Sequence, residues 1–90
     1  MKHYEFQFSQ NAEYIFSHLE RSLQRRILKK LEYWEKTADP LSFAKPLHGK
    51  EHTFRFRVGD YRIIVSRQNK NTMVILLILK IGHRSEIYQA

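Results

Sequence analysis

The chain has 90 residues, a formal net charge of +7 and no cysteine. This length suits a single domain, residues 1–90, with one modest core, and the lack of cysteine excludes disulfides and thiolate metal sites. The positive charge favours an anionic partner, either nucleic acid or an acidic protein. We expect a cytoplasmic protein with no membrane partner, because no signal peptide is recognisable and the apolar run at residues 73–79 is too short to span a bilayer.

The first residues predict a strand and then a helix. Residues 2–8 alternate between polar and apolar side chains, which is typical of a strand with one buried face. Ser9 is a suitable cap for a helix over about residues 10–19, where apolar side chains recur at helical spacing.

A longer amphipathic helix is predicted next, with Ser22 as its candidate cap and its end near Lys36. Its apolar stripe consists of Leu23, Ile27, Leu31 and Trp34. Its basic residues lie largely off that stripe: Arg25, Arg26, Lys29 and Lys30. We interpret this basic band as an ordinary solvated helix face, with electrostatic attachment to a large RNA surface as the alternative.

The segment from Asp39-Pro40 to His52 shows no clear period and predicts a connection without regular structure. Such a long connection is uncommon in a compact domain and is often functional. Leu41, Phe43 and Leu47 are expected to attach it to the core.

Residues 53–65 predict a tight β-hairpin with a II′ turn at Gly59-Asp60. That turn places Val58 opposite Tyr61 and Arg57 opposite Arg62. Cross-strand partners share a face of the sheet. The apolar face then consists of Phe54, Phe56, Val58, Tyr61, Ile63 and Val65, and the other face carries Arg55, Arg57 and Arg62. Like charges this close destabilise a ladder, and a bound anion would offset that cost. Because a guanidinium also suits phosphate, we predict an anion-binding site on this face.

The C-terminal stretch predicts a central strand over residues 73–79, apolar enough to be covered on both faces. His83, Arg84 and Tyr88 follow it, in a position where functional residues are common. The predicted order is β-α-α-β-β-β. This is an α+β fold: a small, twisted, antiparallel-rich sheet of about four strands, with two N-terminal helices on one face and the arginines on the open face.

Motifs for other chemistries are missing from the sequence. The five histidines show no metal-ligand spacing, so no metal site is expected. The chain also lacks a Gly-rich phosphate-binding motif, a serine nucleophile elbow and a close carboxylate pair.

Three segments together resemble the RelE/ParE superfamily of toxins from type II toxin–antitoxin modules. They are K-P-L-H-G at residues 45–49, F-R-F-R-V-G-D-Y-R at residues 54–62 and I-G-H-R-S-E-I-Y at residues 81–88. The last segment is similar to the RelE branch, whose fold resembles a microbial ribonuclease. On the motifs of this branch, the functional positions fall on Arg55, Arg57, Arg62, Arg84 and Tyr88, and the alignment at Arg84 also admits His83.

The resemblance implies an endoribonuclease that cleaves mRNA in the A site on the small ribosomal subunit and so inhibits translation, without metal or organic cofactor. The ribose 2′-OH would attack the adjacent phosphate, with the arginines stabilising the charge. In the best-known RelE toxin the two basic residues at the positions of Arg55 and Arg57 are lysines, and one of them is proposed to act as the general base. Arginine cannot readily take this role, because its guanidinium stays protonated. His83 is the natural acid or base here, and Tyr88, Glu86 and His52 are further candidates.

Two alternatives stay open: a ParE-like inhibitor of DNA gyrase without nuclease activity, and a basic nucleic-acid-binding module without chemistry. In either toxin branch the expected partner is a RelB-like acidic antitoxin that folds on binding and forms a hetero-oligomer with the toxin.

Overall fold

The computed structural model describes residues 3–87 as two α-helices and a five-stranded sheet. The elements are β1 (His3–Phe8), α1 (Gln10–Ser17), α2 (Arg21–Glu35), a 3-10 turn (Pro40–Phe43), β2 (Lys45–Pro46), β3 (Thr53–Val58), β4 (Tyr61–Lys70) and β5 (Met73–His83). The strand order is β1-β5-β4-β3-β2, with β1 parallel to β5 and the other pairs antiparallel. The predicted α+β class and antiparallel-rich sheet are confirmed.

The strand count differs from the prediction of about four, because β2 lies in the segment expected to lack regular structure. Its two residues pair with Arg55 and Phe54 of β3. A strand this short has no alternation that a sequence pattern can show. The predicted central strand, β5, lies inside the sheet between β1 and β4, and β4 takes the middle position.

The helix caps agree with the prediction for α1 and differ for α2. The Ser9 hydroxyl accepts a bond from the Ala12 amide at 3.1 Å, which is the expected N-cap. The cap position of α2 is Glu20, whose side chain makes no capping bond, so the prediction of Ser22 was wrong. The Gln24 amide already donates to the Glu20 carbonyl at 2.9 Å, which places Ser22 within the first turn.

Both helices pack on one face of the sheet and form the core with it. Phe56 is fully buried, and its ring lies 4.6 Å from that of Trp34 and 5.4 Å from that of Phe6. The buried core cluster consists of Ala12, Leu23, Ile27, Leu31, Trp34, Phe56, Val58, Ile63, Val65, Val74, Leu76, Ile78 and Ile81. The predicted apolar stripe of α2 and apolar face of the hairpin therefore meet. Within residues 3–87, no helix is long and apolar enough to cross a membrane.

The hairpin has the predicted register. Val58 pairs with Tyr61, and Arg57 pairs with Arg62. Gly59 has a φ of +59°, as the first central residue of a II′ turn requires, and glycine adopts this conformation without steric cost.

A β-bulge at Leu79 interrupts the ladder between β4 and β5. Ile64 pairs with Lys80 and Val65 pairs with Ile78, so Leu79 is an extra residue. The Leu79 carbonyl accepts a bond from the Asn11 side-chain amide at 3.1 Å. Because of the bulge, the residues beyond it have exchanged faces: Ile78 and Ile81 both belong to the core cluster.

Candidate functional site

The open face of the sheet carries a cavity of about 300 Å3 that we call the arginine cavity. Its lining consists of Phe43, Lys45, Arg55, Arg57 and Arg62. Strand pairing assembles it, since Lys45 pairs with Arg55 across β2 and β3, and Arg57 pairs with Arg62 across β3 and β4. The prediction that the three hairpin arginines meet on one face is confirmed.

The hairpin turn positions two of these arginines. Arg57 Nε donates to the Gly59 carbonyl at 3.1 Å, and Arg62 Nη1 donates to the same oxygen at 3.3 Å. A guanidinium carries five N–H donors. In each guanidinium, one N–H is therefore bound to the Gly59 carbonyl, and other N–H donors remain for a phosphate.

The lining of the arginine cavity is cationic and contains no carboxylate. Lys45 and the three arginines bring their like charges onto one small area of sheet, which favours binding of a polyanion. Phe43 adds an aromatic ring that is 44% exposed. A phosphate flanked by an unpaired base matches this combination of cations and an exposed ring.

Lys45 and Phe43 are the two lining residues that the sequence pattern did not identify as site residues. Both come from the segment without a period, Phe43 from the 3-10 turn and Lys45 from β2. The Asp39 side chain accepts a bond from the Leu41 amide at 3.1 Å and so caps that turn. The Asp-Pro start of this turn was visible in the sequence, but the pairing of Lys45 with Arg55 was not.

His83 lies on the opposite face of the sheet from the arginine cavity, contrary to the predicted grouping. It pairs with Tyr61, whose ring is 5.5 Å from the imidazole, and Tyr61 packs against the core. The cause is the bulge at Leu79, because uninterrupted alternation from Ile78 would have directed His83 to the open face. The predicted group of site residues is therefore divided between two faces.

The His83 ring is also engaged locally. The Ser85 amide donates to His83 Nδ1 at 3.2 Å, and the Ser85 hydroxyl lies 2.8 Å from the same nitrogen. Because an amide N–H only donates, Nδ1 accepts, and the neutral ring then carries its proton on Nε2.

Arg84 lies beside the hairpin turn and is not among the lining residues of the arginine cavity. Its amide donates to the Asp60 carbonyl at 2.7 Å, and its Nε is 3.8 Å from Asp60 Oδ1. Both side chains are more than half exposed, so this ion pair contributes little to stability.

The other candidates from the sequence lie apart from the arginine cavity or outside the described residues. His52 Nδ1 is 3.2 Å from Arg67 Nη2, at the end of the hairpin away from its turn. The Glu86 amide donates to the His83 carbonyl at 2.9 Å, within the turn that follows β5. Tyr88 lies outside the described residues 3–87.

The chain returns to the arginine face after β5. Gly82 pairs with Arg62 and so shares its face, and a Cβ at residue 82 would lie 3.3 Å from Ile87 Cβ. Ile87 is 7% exposed and covers this glycine. The last described residue therefore packs next to the cross-strand neighbour of Arg62.

Between residues 3 and 87 the structure contains no cluster of His, Cys, Asp and Glu side chains able to hold a metal ion.

Comparison with protein families gives a match over residues 4–88 to the ParE toxin of the type II toxin–antitoxin system parDE. No significant match was found among curated proteins.

Solved structures of similar fold include toxin–antitoxin complexes. A chain of the RelBE2 complex from Mycobacterium tuberculosis is 26% identical, with a TM-score of 0.73 and coverage of 96% of this chain and 97% of that one. The RelE–RelB complex from Pyrococcus horikoshii gives 25% identity, a TM-score of 0.68 and coverage of 93% and 98%. The E. coli RelBE complex, at 15% identity, a TM-score of 0.65 and coverage of 87% and 93%, shares the fold.

Proposed function

The chain belongs to the ParE toxin family of type II toxin–antitoxin systems, and we propose that it acts like the RelE branch that its last segment resembles, as a ribosome-dependent endoribonuclease that cleaves mRNA in the A site. The observation that carries the proposal is the arginine cavity, in which Lys45, Arg55, Arg57 and Arg62 line one concave surface. The similarity of the whole chain to RelE-containing complexes supports the same activity.

The arginine cavity suits attack of a ribose 2′-OH on the adjacent phosphate. In this step the O2′–P bond forms, the P–O5′ bond breaks, and a 2′,3′-cyclic phosphate and a 5′-OH end result. Charge accumulates on the non-bridging phosphate oxygens, and guanidinium donors held in advance by Gly59 stabilise it. Phe43 supplies a surface on which an unpaired base stacks, which holds the nucleotide in line for attack.

Lys45 is the lining residue suited to transfer a proton. A guanidinium stays protonated and phenylalanine has no proton to give, whereas an ammonium group donates one readily. The Lys45 ammonium donates its proton to O5′ as the P–O5′ bond breaks. The 2′-OH proton passes to water or to a group of the ribosome.

The test is to add the purified protein to translating ribosomes and map the 5′ ends of the mRNA. We expect new ends within the A-site codon and a 5′-OH at each. A folded protein that arrests growth yet produces no new ends would exclude this activity.

A second candidate, inhibition of DNA gyrase, is favoured by the family match, because the matching family is that of the ParE toxin. It predicts loss of supercoiling by gyrase in the presence of the protein and no cleavage of mRNA on ribosomes. A supercoiling assay beside the ribosome assay therefore separates the two candidates.

The partner of this toxin in the cell is an antitoxin, as in the solved complexes that share its fold. We expect an acidic segment of the antitoxin to cover the arginine face and to fold on it, because that face concentrates the positive charge. Co-expression of the small acidic protein encoded beside the gene is expected to relieve growth arrest. Failure of that protein to bind or to protect would remove this part of the proposal.

A further inference from the structure

A second basic surface lies on the helix side of the hairpin turn, and we call it the helix groove. It encloses about 670 Å3 and is lined by Arg26, Lys29, Lys30, Tyr33, Trp34, Phe43, Val58 and Gly59. One wall is a stripe of α2, since residues 26, 29, 30 and 33 recur at the spacing of a single helix face. This stripe lies next to the buried stripe of α2, which explains why it faces a groove and not open solvent.

Exposed aromatic rings meet basic side chains in the helix groove. Tyr33 is 57% exposed and its ring lies 5.7 Å from that of Phe43, in an edge-to-face arrangement. Trp34 forms the floor, with its ring 6.4 Å from Phe43. Large aromatic rings left open to solvent beside cations are typical of a surface on which unpaired bases stack.

The cations of the helix groove are not neutralised by other side chains of the described residues 3–87. Arg26, Lys29 and Lys30 form no ion pair with the carboxylates of residues 3–87, and the lining contains no acidic residue. Their charge is therefore available to an anionic ligand.

The helix groove and the arginine cavity meet at two residues. Phe43 lines both. Gly59 joins them a second time: its carbonyl accepts bonds from Arg57 and Arg62, and a Cβ on it would lie 2.6 Å from Arg26 Nη2. The absence of a side chain at residue 59 lets the Arg26 guanidinium lie against the turn, next to the arginines of the cavity.

We infer that the helix groove binds the single-stranded RNA segment adjoining the nucleotide held in the arginine cavity. Arg26, Lys29 and Lys30 contact its phosphates, and Tyr33 and Phe43 stack its bases. The inference rests on the proposed function, because it takes RNA as the ligand of the arginine cavity. It extends the binding surface beyond the hairpin to α2.

The test measures binding of 2′-O-methyl RNA oligonucleotides to the full chain freed of antitoxin, by fluorescence anisotropy at several salt concentrations. Such RNA has no 2′-OH and cannot be cleaved, so the result does not depend on catalysis. An oligonucleotide of about three nucleotides suits the arginine cavity alone, and one of about nine reaches the helix groove as well.

The chain offers a matched control on the same helix. The pair Lys29→Ala, Lys30→Ala removes two exposed charges from the groove, and the pair Arg21→Ala, Arg25→Ala removes two exposed charges of α2 that line a different surface. Alanine preserves the helix in both variants. Circular dichroism and unfolding by urea verify that both are folded.

For the long oligonucleotide we expect the lysine pair to lose at least about tenfold in affinity. The slope of log K against log salt is expected to become less negative by about 1.4, because two phosphate contacts are lost. Tyr33→Ala is expected to lose about tenfold with an unchanged slope, because it removes stacking and no charge. The arginine pair is expected to bind nearly as wild type, and the short oligonucleotide is expected to bind all of these variants equally.

Equal losses for the lysine and arginine pairs would show that only overall charge matters and would overturn the inference. So would full affinity of the lysine pair for the long oligonucleotide. If the affinity of a Glu-rich peptide fell in the Lys29→Ala, Lys30→Ala variant while that of the long RNA did not, the groove would be assigned to a protein partner instead. Wild-type protein that binds RNA in this way but never cuts mRNA on ribosomes would overturn the proposed function and leave the helix groove as an RNA-binding site.

Discussion

Arg57 lies directly opposite Arg62 in the β3–β4 ladder, and both side chains donate to the carbonyl oxygen of Gly59, at 3.1 and 3.3 Å. Like charges at directly opposite positions of a ladder destabilise it. The shared acceptor offsets part of this repulsion. Activity and stability are therefore expected to respond in opposite directions when one of the two arginines is removed.

Replacing Arg62 with alanine is expected to lower ribosome-dependent cleavage by about 100-fold, because it removes one preorganised donor to the phosphate. Stability to urea is expected to stay within about 0.5 kcal/mol of wild type or to rise, since repulsion with Arg57 is relieved. The measurement combines cleavage rates with an equilibrium unfolding curve.

The matched control for Arg62→Ala is Arg67→Ala, because Arg67 is also on β4 but contacts His52 at the other end of the hairpin. We expect this control to cleave at a rate close to that of wild type. Equal loss of cleavage in both variants would show that the position of the arginine does not matter.

Replacing Lys45 with alanine or arginine is expected to lower cleavage by about 100-fold, since neither side chain donates a proton readily to O5′. The decisive substrate carries sulfur in place of the bridging O5′ at the cut site, because a thiolate leaves without being protonated. On this substrate Lys45→Ala is expected to regain most of its rate, whereas Arg62→Ala is not. A Lys45 variant that is slow on both substrates would exclude proton donation and assign Lys45 to phosphate binding.

Replacing His83 with alanine is expected to change cleavage by less than about threefold, because His83 lies on the helix side of the sheet and its Nδ1 accepts from Ser85. The expectation from sequence alone was a role as acid or base. A loss comparable to that of Arg62→Ala, in a variant with wild-type stability, would contradict the placement of His83 away from the arginine cavity.

Gly82 and Ile87 are expected to be energetically coupled, because a Cβ at residue 82 would lie 3.3 Å from Ile87 Cβ. In the wild-type background Gly82→Ala must displace Ile87 and is expected to destabilise the fold by about 1 kcal/mol. In an Ile87→Gly background, which removes that Cβ, the same change is expected to be neutral or stabilising, since alanine suits a strand better than glycine. Urea unfolding of the four proteins in this cycle measures the coupling, and additive effects would show that Ile87 does not cover Gly82.

Much of the fold followed from local pattern. The turn at Gly59-Asp60 determines its own register, so the pairing of Arg57 with Arg62 and the common face of Arg55, Arg57 and Arg62 were predictable. The apolar stripe of α2 was predictable in the same way, from its helical period.

The sequence by itself therefore determined the α+β class, the hairpin and the face on which its arginines meet. The reason is that the two-residue turn and the alternation of side chains depend only on residues close together in the sequence. Only the tertiary structure decided which further residues join them. Pairing of the two-residue strand β2 brought Lys45 beside Arg55, and the bulge at Leu79 turned His83 to the other face. Both depend on contacts between segments distant in sequence, which no local period encodes.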